Sequence, residues 1–328
     1  MQISNLLRVF LISSKVSDYF LFEQNTPANS HREGYINSGS LIFEDYNDKS
    51  RRPLVIWHGL GDNYKSHYIE RVVEVLSREH PGMFIHVISL DEDPKTDERS
   101  TLFGNANDVV VKICEQLIHI KELNRGFDAI GFSQGGLFTR AVIERCPDLK
   151  VHNLITFGSP HMGVMDLPIC SDVNDWICKQ RNEFLKRQVW NSNVQKTIIP
   201  AQYFRDPYQL ENYVLFSNFL ADANNELVDG VKVGYRKSFT ELENLVLVKF
   251  TEDTTLVPKG SAWFEDIDPV TDEVIPFRKT ELYRNDLLGL KSLDRKERVF
   301  FFLIEADHMV LTNATLIEIT SNFVGNYI

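Results

Sequence analysis

Short apolar runs alternate along this chain with segments whose apolar positions recur every three or four residues. Residues 53–57 are continuously apolar and close on His58-Gly59-Leu60-Gly61-Asp62, which predicts a buried strand ending in a glycine-rich loop. Helical spacing follows over 69–80, a strand-like run over 83–90, and a charged segment, 91–100, that reads as an exposed connection. Over 105–123, Val109, Val110, Ile113, Leu117 and Ile120 form one stripe, the mark of an amphipathic helix facing a core. The apolar run 127–130, a glycine-rich turn and a helical stretch over 137–146 complete a further unit, and 153–157 predicts the next strand. Strands alternating with helices at these spacings predict an α/β fold: one mostly parallel sheet with helices on both faces.

The alternation stops at residue 164 and resumes at 245. Between them, about 164–241 is rich in exposed-looking aromatic and aliphatic residues, including Trp176, Ile177, Phe184, Trp190, Ile198, Ile199, Tyr203, Phe204, Tyr213, Phe216 and Phe219. This reads as an insertion, either a cap over the site or a small satellite core. A strand over 245–250, a loop over 251–258, a strand over 299–304 and a closing helix over 315–327 finish the domain. At the other end, 24–40 is polar and rich in turn formers, so the domain proper is expected from about residue 41, with 1–40 as a possible signal or leader segment.

Length and charge narrow the function. With 328 residues the chain suits one large domain carrying an insertion. A net charge of −11 argues against nucleic acid, because phosphate binding relies on clustered Lys and Arg, whereas the pairs here are scattered among acids. Apolar stretches within 1–22 are broken by Arg8 and Lys15, giving a weak secretory signal and no membrane span. The four cysteines, Cys114, Cys146, Cys170 and Cys178, fit either two disulfides or four free core thiols. No C-x-x-C pair is present, and no metal is expected. Asn313-Ala314-Thr315 is a glycosylation sequon.

The chemistry centres on Gly131-Phe132-Ser133-Gln134-Gly135-Gly136. A serine at the apex of a tight strand-to-helix turn needs residues without bulk two positions to either side, and Gly131 and Gly135 meet that need. A serine hydroxyl is a weak nucleophile, so it requires an imidazole to take its proton and a carboxylate to orient that imidazole. In α/β-hydrolases these follow in the order serine, acid, histidine. His308 is the one histidine C-terminal to His161, and it follows the strand over 299–304. Asp253 follows the strand over 245–250, with Glu252 its nearest rival. Asp206, Asp222 and Asp229 fall in the insertion and read as surface carboxylates, while Asp307 could orient its loop without reaching the adjacent ring. Oxyanion donors are expected from the backbone amides of Gln134 and Leu60. His58 reads as a loop-packing residue.

These residues, with the blocks Leu54 to Asp62, Ala129 to Gly136, Arg140-Ala141, Arg145-Cys146-Pro147, Phe219 to Asp222, Val248-Lys249-Phe250, Trp263-Phe264, Asp286 to Lys291 and Asp307-His308, closely resemble the palmitoyl-protein thioesterase family. The resemblance runs from about residue 53 to the C-terminus. It implies a lysosomal or secreted α/β-hydrolase that removes long-chain fatty acyl groups such as palmitate from S-acylated cysteines of proteins or peptides, without a cofactor. It maps the nucleophile onto Ser133, the acid onto Asp253, the histidine onto His308 and the oxyanion amides onto Leu60 and Gln134. It also implies disulfides Cys114 to Cys146 and Cys170 to Cys178. Where family members often carry a vicinal cysteine pair after the Gly-Asp of the oxyanion loop, this chain has Asn63 and Tyr64. A lipase or carboxylesterase acting on oxygen esters, and a hydrolase fold used only for binding, are the alternatives.

Overall fold

A computed structural model of the chain describes residues 35–37, 40–42, 51–166, 186–227 and 230–326. Among the described residues eight strands form one sheet. They are β1 (Tyr35–Asn37), β2 (Ser40–Ile42), β3 (Leu54–Trp57), β4 (Ile85–Val87), β5 (Phe127–Phe132), β6 (Val151–Phe157), β7 (Asn244–Phe250) and, after the small hairpin β8 (Asp266–Ile267) and β9 (Val274–Ile275), β10 (Val299–Ile304). The spatial order is β1-β2-β4-β3-β5-β6-β7-β10. From β4 to β10 every neighbouring pair is parallel, and β1 and β2 add an antiparallel edge. The strand Tyr35–Asn37 lies in a stretch read from the sequence as loop; it pairs antiparallel with β2, and three residues are too few to show an alternating pattern.

The central strands β3, β5 and β6 are buried at every position, as a parallel sheet covered on both faces requires. Alternate residues of each strand enter two different cores. Val55, Trp57 and Ala129 join helices Ala106–Ile118 and Gln134–Arg145 on one face. Leu54, Ile56, Ile130 and Phe132 join helices His67–Glu79 and Asn313–Thr320 on the other. The predicted amphipathic stripe is in place: Val109, Val110, Ile113 and Leu117 are all buried. Cys114 of one helix and Cys146 at the end of the next form a disulfide, Cα atoms 6.0 Å apart. Cys170 and Cys178 lie outside the described residues, as do Trp176, Ile177, Phe184 and Asp229.

The segment between β6 and β7 differs from its sequence reading in one respect. Ile199, Tyr203, Tyr213 and Phe219 are not surface groups but part of the main core, and Ile198 and Phe204 pack with Val189 and Ala201 into a small satellite core. Phe216 alone of the described large residues named above is strongly exposed. Short helices, Ser192–Thr197, Ile199–Gln202, Leu210–Phe216, Leu220–Ala223 and Val233–Thr240, break the chain every few residues, so no long periodic stripe reveals which side faces inward. Arg140, fully buried in the helix Gln134–Arg145, fastens this segment down: it donates to Glu144, to the Ala223 carbonyl and to Asn224 Oδ1.

Candidate active site

Ser133 stands between the last residue of β5 and the first of helix Gln134–Arg145, at φ 51° and ψ −123°. A side-chain-bearing residue in this region is strained by about 1–3 kcal/mol, so the surroundings must hold it there. Its amide donates to the Phe157 carbonyl at 2.7 Å, tying the turn to β6. A Cβ at Gly135 would lie 2.3 Å from the His58 carbonyl oxygen and 2.5 Å from that of Trp57, so the helix start touches the end of β3 directly.

The loops after β7 and β10 reach the same end of the sheet, since parallel neighbours all finish there. His308 Nε2 is 3.0 Å from Ser133 Oγ, and His308 Nδ1 is 2.6 Å from Asp253 Oδ2. Asp253 is nearly buried, and its other oxygen accepts the Thr255 and Leu256 amides at 2.9 and 2.7 Å. Those two bonds orient the carboxylate without any side-chain partner but His308. Glu252 is exposed; only its backbone takes part, donating to the Ala306 carbonyl at 3.0 Å. Asp307 does hold its loop: it accepts from the Thr254 amide and hydroxyl and from the His308 amide. The acid loop and the histidine loop are thereby bound to each other as well as to the sheet.

The remaining predicted groups surround this array. Gln134 follows Ser133 as the first helical residue, and Gly59 of the early loop packs on the serine: a Cβ there would stand 3.1 Å from Ser133 Cβ and 3.8 Å from Ser133 Oγ. Leu60, next in that loop, is half-buried. Asp206 caps a short turn through the Tyr208 amide. Asp222 is not a free surface carboxylate: it pairs with Arg145 and Lys232 and accepts from the Tyr235 hydroxyl. Asn313 is half-buried at the start of helix Asn313–Thr320, behind the N-cap Thr312. Among the described residues no group of three or more His, Cys, Asp or Glu is arranged to hold a metal, and no helix is long and apolar enough to cross a membrane.

The supporting roles of the Gln134 side chain, Thr101 and Asp97 escaped the sequence reading. Gln134 also acts through its side chain, donating to the Thr101 carbonyl at 3.1 Å and accepting from the Tyr203 hydroxyl at 3.0 Å, so it joins the elbow to the inserted segment. Thr101 in turn accepts the Gly61 amide at 2.8 Å. Asp97, in the stretch expected to be exposed, is fully buried: it accepts the Leu90 and Tyr64 amides at 2.7 and 3.0 Å and stands 3.1 Å from His58 Nε2. A signal for the helix that carries it was present in Asp93-Pro94, an N-cap residue followed by proline at the first helical position.

Residues 53–308 match the family model described as palmitoyl protein thioesterase. The chain is 36% identical over 268 residues to palmitoyl-protein thioesterase 1 of Caenorhabditis elegans, a match covering 81% of this chain and 89% of that protein. It is 29% identical over 258 residues to palmitoyl-protein thioesterase 3 of Dictyostelium discoideum, covering 78% and 85%. To lysosomal thioesterase PPT2-B of Xenopus laevis it is 26% identical over 261 residues, covering 79% and 86%.

Proposed function

The chain belongs to the palmitoyl protein thioesterase family, and from that premise we propose that it is a serine hydrolase that releases long-chain fatty acids, palmitate among them, from S-acylated cysteines of proteins or peptides. His308 takes the Ser133 proton as the hydroxyl attacks the thioester carbonyl, and Asp253 holds the imidazole in the required tautomer and stabilises the imidazolium. The Leu60 and Gln134 amides receive the oxyanion. Collapse of the tetrahedral adduct breaks the C–S bond, and the departing cysteine sulfur takes the proton from His308, which leaves the imidazole neutral again. The cysteine thiol, with a pKa of about 8.5, leaves far more readily than an alkoxide. Water activated by His308 then attacks the acyl-serine and returns the enzyme with free fatty acid. Deacylation, which needs the base most, is the step expected to limit turnover.

The observation that carries this reading is the continuous file from Ser133 Oγ through His308 to Asp253, at 3.0 and 2.6 Å. An acyl chain gains about 0.8 kcal/mol per buried CH₂, so an apolar surface beside Ser133 is required, and we assign it to an inserted cap spanning about 164–241. We further assign the enzyme to the lysosome or the secretory route. Relatives named as lysosomal thioesterases and the Cys114 to Cys146 disulfide support that compartment.

Turnover of a palmitoyl thioester set against its matched oxygen ester tests the substrate class. A clear preference in kcat/KM for the thioester is expected. Equal or greater turnover of the oxygen ester would assign the chain to lipase or carboxylesterase chemistry instead.

A further inference from the structure

The loop after β3 contains a buried arrangement that the hydrolysis scheme leaves unused. His58 is 1% exposed; its Nδ1 lies 3.1 Å from the Gly59 carbonyl oxygen, and its Nε2, which makes no hydrogen bond of good geometry, stands at ion-pair distance, 3.1 Å, from Asp97 Oδ2. Both Asp97 oxygens already accept backbone amides, from Leu90 and Tyr64. With Nδ1–H on the Gly59 carbonyl, a neutral ring would turn its Nε2 lone pair toward the Asp97 carboxylate, whereas the imidazolium turns an N–H there. Burial opposes that charge, but Asp97 and the nearby Asp62 outweigh it, and the His58 pKa stands above its ordinary value.

The Gly59 carbonyl is one edge of the peptide unit whose other edge is the Leu60 N–H. A trans peptide is planar, with its carbonyl and N–H pointing in opposite directions, so fixing the oxygen fixes the direction of the hydrogen. Glycine imposes the weakest limits on the plane of the peptide that follows it, and besides His58 the Gly59 carbonyl meets the Asp62 amide at a long 3.4 Å. Gly59 is also where the loop presses on the nucleophile, a Cβ there falling 3.1 Å from Ser133 Cβ. We propose that His58 is a positioning residue for the oxyanion: as an imidazolium anchored on Asp97, it grips the Gly59 carbonyl so that the Leu60 N–H stays aimed at the carbonyl oxygen of the acyl group on Ser133. This rests on the thioesterase reading given above.

Two substitutions separate the roles of the two nitrogens. In His58→Asn the side-chain amide sits near the Nδ1 position and still donates to Gly59; in His58→Gln it sits near Nε2 and meets Asp97 instead. Palmitoyl-thioester turnover is measured for both beside the wild type and Ser133→Ala. His58→Gln is expected to lose about 10²-fold in kcat with KM within about twofold, the size of effect seen when one oxyanion donor is lost. His58→Asn is expected to regain at least about tenfold of that loss. Equal kcat in the two variants, or a loss confined to KM, overturns the inference while leaving Ser133-dependent turnover, and so the thioesterase reading, intact. Absence of Ser133-dependent turnover in the wild type overturns both. A readout on the unaltered protein guards against variants that fail to fold. Nitrogen-15 histidine spectra at neutral pH should show His58 protonated at both ring nitrogens, and a neutral tautomer there contradicts the proposal.

Discussion

Gly136 stands where a side chain on Gly131 would begin: a Cβ at residue 131 would lie 2.2 Å from Gly136 Cα and 2.5 Å from Gly136 N. The end of β5 and the first turn of the following helix are therefore in backbone contact across Ser133, and neither side has a flexible atom to move away. Gly131→Ala is expected to destabilise the fold by about 3 kcal/mol or more, the upper range for overpacking a core. Urea unfolding monitored by circular dichroism reads this directly, and an unchanged midpoint would contradict the contact.

Asp253 and Glu252 are adjacent, yet only Asp253 reaches His308. Asp253→Asn keeps the shape but offers the wrong hydrogen-bonding pattern to the imidazole, and a fall of roughly 10³–10⁴-fold in kcat is expected. Glu252→Gln, altering an exposed side chain, should leave kcat within about twofold. Comparable losses in the two variants would move the acid's role away from Asp253.

Burial pushes Asp128 up to about 7, against the opposing pull of Arg52 and a hydrogen bond from Asn153. Below the unfolded value near 3.9 both states hold the proton. Between about 4 and 7 the folded state keeps a proton the unfolded chain has released, so this residue's contribution to stability declines as pH rises through that window. The slope is at most about 1.4 kcal/mol per pH unit. Asp128→Asn should remove it, so the variant gains stability relative to the wild type between pH ~4.5 and pH ~7.5 in chemical denaturation. A constant difference across that range would show that Asp128 carries its charge in the folded protein.

The sheet and the elbow were legible because they rest on local rules. A short run such as 54–57, apolar at every position, reads as a buried strand, and paired glycines around Ser133 suit a turn whose flanks touch. Asp253 and His308 could be found from their order after strands, although 55 residues separate them. What stayed hidden depends on contacts between distant segments. Nothing local distinguishes Asp97 from the acids beside it in Asp91-Glu92-Asp93, and its burial arises only when His58, Tyr64 and Leu90 close around it. In the same way Tyr203 and Phe219 read as surface aromatics because the short helices carrying them have no period long enough to define an inner face. The pairing of Cys114 with Cys146 was open on spacing alone and was implied only by the family resemblance.

The central claim, that Ser133 is the nucleophile of a thioesterase, is tested most directly by fatty-acid release from an S-palmitoylated peptide by the wild type and by Ser133→Ala. The expected result is turnover by the wild type and a loss of roughly 10⁴-fold or more in kcat in the variant, the scale on which removal of a serine nucleophile acts. Release by Ser133→Ala at the wild-type rate would contradict the account.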